Sequence, residues 1–381
     1  MLLSKLYKDF FNSEKIGGLL LIASTIVSMS LVNSWLRDAY LNFWHFSIAG
    51  HDLVHWINDG IMTLFFLLIG LELEREIYKG ELSNVRVAIL PIIAAIGGMA
   101  VPAGIYSLFN FGTPSQSGSG IPTATDIAFA IGILSLLGNR IPASLKIFLT
   151  AFAVIDDLGA IVIIAIFYTN SLVLSNLLAA LAIFVLLLLL NRMKIMNLIP
   201  YLLGGVFIWY FMYASGVHPT ITGILLAFAI PFKTGGSESP STRLQHFLHK
   251  PVAYIVLPLF ALADTAIPLS SSMAENLAGN VSLGIILGLL IGKPLGITLF
   301  SYLTVLAGLS KLPSELKWKH IIGIGFLGGI GFTMSIFITI LAFPQLEAIH
   351  TAKLSIFIGS FLSGLTGFLW LWITLKKPVA S

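Results

Sequence analysis

The stretch Ile121-Pro122-Thr123-Ala124-Thr125-Asp126-Ile127-Ala128-Phe129-Ala130-Ile131-Gly132-Ile133-Leu134-Ser135-Leu136-Leu137-Gly138 decides how this chain folds. From Ile127 onward it is apolar enough for the interior of a bilayer. Yet it opens on a proline, two threonines and an aspartate. Proline pushes the residue before it out of the helical region, and β-branched threonines are stiff at χ1. The run therefore predicts an interrupted span, extended at first and helical after Asp126. Extended chain advances over 3 Å per residue, which places Asp126 roughly 10–15 Å below a membrane surface. A charge at that depth costs several kcal/mol, so an ionisable group there marks a functional site.

The rest of the chain has the same character. Only 10% of its residues are charged and 57% are hydrophobic, and the mean hydropathy is +0.96, which places it in the polytopic membrane class. Hydropathy predicts about twelve spans, near 17–34, 53–71, 85–109, 121–138, 143–169, 174–191, 198–213, 216–231, 251–267, 282–306, 319–342 and 352–375. Unpaired backbone groups are not tolerated in lipid, and runs this long suit helices, not barrel strands. The expected fold class is therefore an all-α membrane protein, one integral domain over residues 1–381 with membrane lipid as its solvent.

Of the 21 lysines and arginines, only Arg37 and Lys353 fall on one side of the predicted topology, and Lys293 falls inside a span. The others share the opposite side with both termini, which the positive-inside rule makes cytoplasmic. The net charge of +4 thus reflects topology and gives no argument for a nucleic-acid partner. With no cysteine, disulfides and thiolate metal sites are excluded. Asp9, Glu14 and the lack of a small-residue cleavage site before Trp35 read the first span as retained. Residues Leu2 to Phe11 fit either a short helix in the interface or a disordered tail.

A second span is also interrupted. Residues 319–342 carry Gly323, Gly325, Gly328, Gly329 and Gly331 before Thr333, and each glycine lowers helix propensity by about 1 kcal/mol. The fourth span is central to spans 3–5 and the eleventh to spans 10–12. Two such triplets entering from opposite sides make an inverted repeat, and broken helices at corresponding positions point to a transport site.

Two other charged features lie at similar depth. Asp156 and Asp157 sit about 13 residues into span five, about 20 Å along a helix axis, and Lys293 about 11 residues into span ten. Adjacent helical residues diverge by about 100°, so the two aspartates face different neighbours. Such a carboxylate pair can hold either protons or a cation, and competition between them suffices for exchange. Hard cations want oxygen ligands, which Asp156, Asp157, Thr125 and loosened carbonyls would supply. Asp126 fits either ion ligation or the capping of a half-helix N-terminus, and Lys293 either the balancing of half-helix C-termini or a structural ion pair.

These residues carry a resemblance. Thr123-Ala-Thr-Asp126-Ile-Ala-Phe-Ala, Ile155-Asp156-Asp157-Leu-Gly-Ala, Gly292-Lys293-Pro-Leu-Gly296 and Gly329-Ile-Gly-Phe-Thr-Met-Ser335 resemble the NhaA-type sodium/proton antiporters over essentially the whole chain. Inverted repeats are themselves known from that family, so the two readings are not independent. The resemblance implies two crossed, interrupted helices (spans 4 and 11) and a cytoplasmic funnel reaching the aspartate pair. It also implies electrogenic exchange of inward H⁺ for outward Na⁺ or Li⁺ by alternating access in a bacterial inner membrane, with no cofactor and no enzymatic step. In that scheme Asp156 and Asp157 bind Na⁺ and carry protons, with Thr125 nearby. Asp126 and Lys293 balance helix dipoles, and Lys293 pairs with Asp156.

Regulation by pH at the funnel mouth is implied too. Glu72, Arg75 and Glu76 at the end of span two fit that role, as do His246 and His249 in the polar insert Lys233–Lys250, where Gln245 stands in place of an expected acid. A homodimer is implied, and the loosely alternating segment 43–52 fits either an outside β-hairpin able to pair with a second subunit or an ordinary loop. Asp59 reads as the cap of span two. Asp264, near the outer end of span nine, departs from the amide expected there. A sodium-coupled symporter would want more Asn, Gln and Arg in its spans. An intramembrane aspartyl protease would want Tyr-Asp and Gly-x-Gly-Asp motifs, and a passive channel would not want a lysine in its site.

Overall fold

The computed structural model describes residues 2–169, 172–232, 239–269 and 277–375. The linker Thr234-Gly235-Gly236-Ser237 and the terminal Lys376-Lys377 lie outside the described residues. The chain is helical almost throughout: α1 Leu2–Val32, α2 Arg37–Trp44, α3 Leu53–Lys79, α4 Val85–Asn110, α5 Ile127–Ser135, α6 Ala143–Phe167, α7 Leu174–Arg192, α8 Ile199–Ser215, α9 Ile221–Ala229, α10 Pro240–Asp264, α11 Asn280–Leu306, α12 Trp318–Gly328, α13 Phe332–Ala342 and α14 Leu346–Thr374. A two-stranded hairpin, β1 Ser47–Ile48 and β2 His51–Asp52, sits between α2 and α3. Ala49 (φ 53) and Gly50 (φ 86) form its turn, the left-handed pair that matches the twist of two short strands.

Among the described residues seven helices are long and apolar enough to cross a membrane, and nine are if each bent pair counts as one span. The expected twelve differ from this because several predicted spans are helical only in part. In the eighth, Gly216 (φ 82) and Pro219 hold the entry out of the helix, so α9 begins at Ile221. The second and ninth extend the other way. α3 outlasts its apolar run through strong helix formers, Glu72 to Lys79, and α10 joins the amphipathic segment 240–251 to span nine. At the N-terminus α1 runs unbroken from Leu2, replacing the separate interfacial helix or tail expected over residues 2–11. No proline interrupts it before Val32.

Both predicted interruptions are present. Residues 114–123 form a 3₁₀ segment, Ala124 to Asp126 are non-helical, and α5 follows. α12 and α13 meet at a 48° bend around Gly329 to Gly331. The breaks lie against each other: the Asp126 N–H donates to the Ile330 carbonyl at 2.6 Å, and the Thr125 hydroxyl donates to the Gly328 carbonyl at 2.7 Å. Each broken pair lies between two long helices, α4 and α6 in one triplet, α11 and α14 in the other. The end of α4 meets the start of α11, where the Asn110 amide donates to the Asn280 carbonyl at 3.0 Å. The triplets therefore enter from opposite faces. One face carries the hairpin and the other the lysine-rich loops.

α4, α6 and α11 to α14 pack with the broken segments into one bundle. α3 packs on α9, and α7 on α8, into another, with α1 and α10 between them.

Candidate functional site

The crossing of the two breaks builds the site. Asp126 stands at the N-terminus of α5 and accepts from the Phe129 N–H at 3.1 Å. Its other oxygen accepts from the Thr333 N–H at 3.1 Å and from the Thr333 hydroxyl, at the N-terminus of α13. One carboxylate thus serves two half-helix N-termini, where the backbone dipole favours negative charge. Ser360 of α14 completes the second end, accepting from the Gly331 and Phe332 N–H groups at 3.2 Å each.

Lys293 follows a π-helical turn, Gly288–Gly292, a local widening often found at functional sites. Its Nζ lies 2.7 Å from Asp156 Oδ2, donates to the Thr125 hydroxyl oxygen at 2.9 Å and sits 5.6 Å from the centre of the Phe152 ring. Thr125 therefore links the ammonium to the carbonyl end of α12, and Lys293 meets that helix C-terminus through a hydroxyl instead of directly.

Lys293, Asp156 and Thr125 are fully buried, Asp157 is 1% exposed and Asp126 3%. Asp157 lies within electrostatic range of Asp156, Asp126, Lys293 and Glu72. Among the described residues Asp156 Oδ1 and Asp157 Oδ1 are buried with no hydrogen-bond partner. Buried polar atoms are nearly always partnered, so these two oxygens are suited to a proton or a hard cation. No group of three or more His, Asp or Glu among the described residues is arranged as a metal cage. A cation here would complete its shell from hydroxyls, carbonyls and water.

At the lysine-rich face α3 and α10 meet. The Gln245 side chain lies against Glu72, and His249 Nδ1 lies 3.9 Å from Glu72 Oε1. Arg75 pairs with Glu76 at 3.1 Å, while His246 is exposed and within electrostatic reach of His249. Glu74, within the same acidic run but not singled out from sequence, is buried and accepts from the Ser241 hydroxyl at 2.6 Å. An acid inside an amphipathic helix end gave no signal of its own.

At the hairpin face Asp52, not Asp59, caps α3, accepting from the His55 N–H at 2.8 Å. The helix starts earlier than hydropathy predicted, and Asp59 falls within it, 3.6 Å from His55 and 3.4 Å from His218. Asp264 is buried 3.4 Å from Lys353, a pairing that no spacing in the sequence betrays. Thr333 was visible only as part of a motif.

A family model described as Na+/H+ antiporter 1 matches residues 8–371. The chain belongs to that family. The Na(+)/H(+) antiporter NhaA of Flavobacterium psychrophilum is 63% identical over 379 residues, covering 100% of this chain and 99% of its own. The Na(+)/H(+) antiporter NhaA of Dechloromonas aromatica is 59% identical over 373 residues, 97% of this chain and 96% of its own. The sodium proton antiporter MjNhaP1 of Methanocaldococcus jannaschii superposes with a TM-score of 0.57 at 14% identity, over 98% of this chain and 99% of that one, and so shares the fold. This integral membrane protein is accordingly a Na⁺/H⁺ antiporter, a transporter and not an enzyme.

Proposed function

We propose that this antiporter exchanges one alkali cation, Na⁺ or Li⁺, for protons at Asp156 and Asp157 by alternating access. The observation that carries this reading is the pair of buried carboxylate oxygens, one on each aspartate, without partners among the described residues, beside a lysine whose ion pair is with Asp156. When both carboxylates are protonated the cation has no charge to meet. When they lose their protons, a cation binds between them and Thr125. Lys293 holds Asp156 when neither is present, and Asp126 fixes the two half-helices that supply nearby carbonyls. Two carboxylates accept more protons than the single charge of one cation, which supports electrogenic exchange.

The lysine-rich face is cytoplasmic in this reading, with both termini inside a bacterial inner membrane. Ions then enter past Glu72, Glu76, Arg75 and His249, where the Arg75–Glu76 pair on α3 and the Glu72–His249 contact between α3 and α10 supply a pH-dependent mouth. His246, exposed on the same helix, acts on His249 through its charge. The hairpin, projecting at the outer face, is the contact through which two copies associate.

Everted membrane vesicles test the site. Na⁺ added to acid-loaded vesicles releases protons through the wild type and not through Asp157→Asn. Wild-type exchange by that variant refutes the assignment. Asp156→Asn retains at most slow or differently coupled exchange, and an unchanged stoichiometry there removes its proton-carrying role.

A further inference from the structure

We infer that Asp264 and Lys353 are the positioning pair of the outer gate, an ion contact that parts and re-forms in each transport cycle. The inference rests on the alternating-access reading and on the orientation given above.

The two residues belong to differently anchored bodies. Asp264 ends α10, and that end is tied to α1 and α2. Ser28 donates to the Leu262 carbonyl at 2.8 Å and Tyr40 to the same carbonyl at 2.7 Å. Asn33 donates to the Ile267 carbonyl at 2.9 Å. Lys353 lies in the first turns of α14, and α14 is tied to the helices that build the ion site. Ser355 donates to the hydroxyl oxygen of Ser282 on α11 at 2.8 Å, Ser360 receives the first N–H groups of α13, and Ser363 donates to the Phe326 carbonyl of α12 at 2.7 Å. An outward opening between the ends of α10 and α14 parts the Asp264–Lys353 contact.

The contact itself is made for release. Both side chains are at least nine-tenths buried, yet they stand 3.4 Å apart, against 2.7 Å for Lys293 and Asp156. Among the described residues Asp264 Oδ2 has no hydrogen-bond partner, and neither does Oδ1 of Asn58, whose side chain lies against the same carboxylate. A buried ion pair is a poor source of stability, because desolvation offsets the attraction. Opening would admit water to these two unpartnered oxygens, so separation costs little. Closure restores a charge contact that fixes the register of α10 against α14. Asp264, which departs from the amide expected at its position, thereby gains a role that an amide would serve weakly.

The chain has no cysteine, so the test needs no background substitutions. Asp264→Cys with Lys353→Cys, joined by a short reversible bis-methanethiosulfonate, should lose Na⁺-driven proton release and regain it on reduction. Either single-cysteine variant treated alike should keep it. Exchange by the crosslinked protein at the reduced protein's rate overturns the gate. Should the double variant be inactive before crosslinking, labelling decides. A lone cysteine at Thr265, buried beside the pair, should react several-fold faster with an outside, membrane-impermeant maleimide when Asp264→Asn or Lys353→Met is added. Lys353→Arg and the charge reversal Asp264→Lys/Lys353→Asp should return the slow rate. Equal labelling in all of these refutes the proposal. The two readings fail separately: wild-type exchange by Asp157→Asn overturns the ion site, while free exchange by crosslinked protein overturns only the gate.

Discussion

Lys293 is the residue on which the buried charges depend. Its ammonium satisfies one oxygen of Asp156 and holds Thr125 in the same contact. Lys293→Ala leaves a buried carboxylate without its partner, which costs about 3–5 kcal/mol where such pairs are broken. A lower Tm in detergent and a changed apparent Na⁺ affinity are expected together, and if neither moves the pairing has no functional weight. Thr333 makes a smaller case. Thr333→Val keeps the shape and the backbone N–H but removes the hydroxyl that Asp126 accepts from, an expected loss of about 1–3 kcal/mol. Thr333→Ser should recover most of it. The charged residues could be singled out from the sequence because a charge in an apolar run has no bland reason to be there. Thr333 could not, because a hydroxyl in a span can always bond its own helix, as Thr339 does with the Ser335 carbonyl. Asp59 was misread for a related reason: a cap depends on where a helix begins, and hydropathy does not resolve that to a residue.

Single elements are shaped by close approach and by breaks. α4 and α11 cross at Gly97 and Gly296, where a Cβ added to either would strike the backbone of the other. A backbone cannot yield as a side chain can, so Gly296→Val should destabilise by at least the roughly 1–3 kcal/mol of an overpacked core. The neighbouring Leu295→Ala, half-exposed toward lipid, should stay within about 0.5 kcal/mol. A thermal melt of both variants checks the contrast, and equal Tm values would remove the claim of a tight crossing. The break before Asp126 could be read from Pro122, Thr123 and Thr125, whose backbone preferences are local. The π-helical turns at Trp56–Ile61, Val252–Val256 and Gly288–Gly292 could not, because an extra residue in a turn is settled by what its flanking helices pack against.

At the scale of the whole molecule the coupling has a sign. In the proposed mechanism protons and Na⁺ compete for the same carboxylates, so each weakens the other by the same factor. The apparent Na⁺ KM should rise as pH falls, by up to about tenfold per pH unit for each competing proton, and level off at high pH once no protons remain to displace. Exchange measured across a pH series in proteoliposomes checks this, and a pH-independent KM would exclude a shared site. The hairpin makes a second prediction. Replacing residues 47–52 with a short glycine–serine turn should shift solubilised protein toward monomers while exchange continues, and an unchanged oligomeric distribution would place the contact elsewhere.

The sequence by itself determined the membrane class, the apolar spans, the two interruptions and the buried charges, because each follows from local composition against the cost of polar groups in lipid. Tertiary structure decided which oxygens were left unpartnered, that Asp126 serves two helices at once, that Thr125 bridges Lys293 to a carbonyl, and that Asp264 meets Lys353 across 89 positions of chain. Those contacts join residues from distant spans, and only the packing of one helix against another fixes the distances between them.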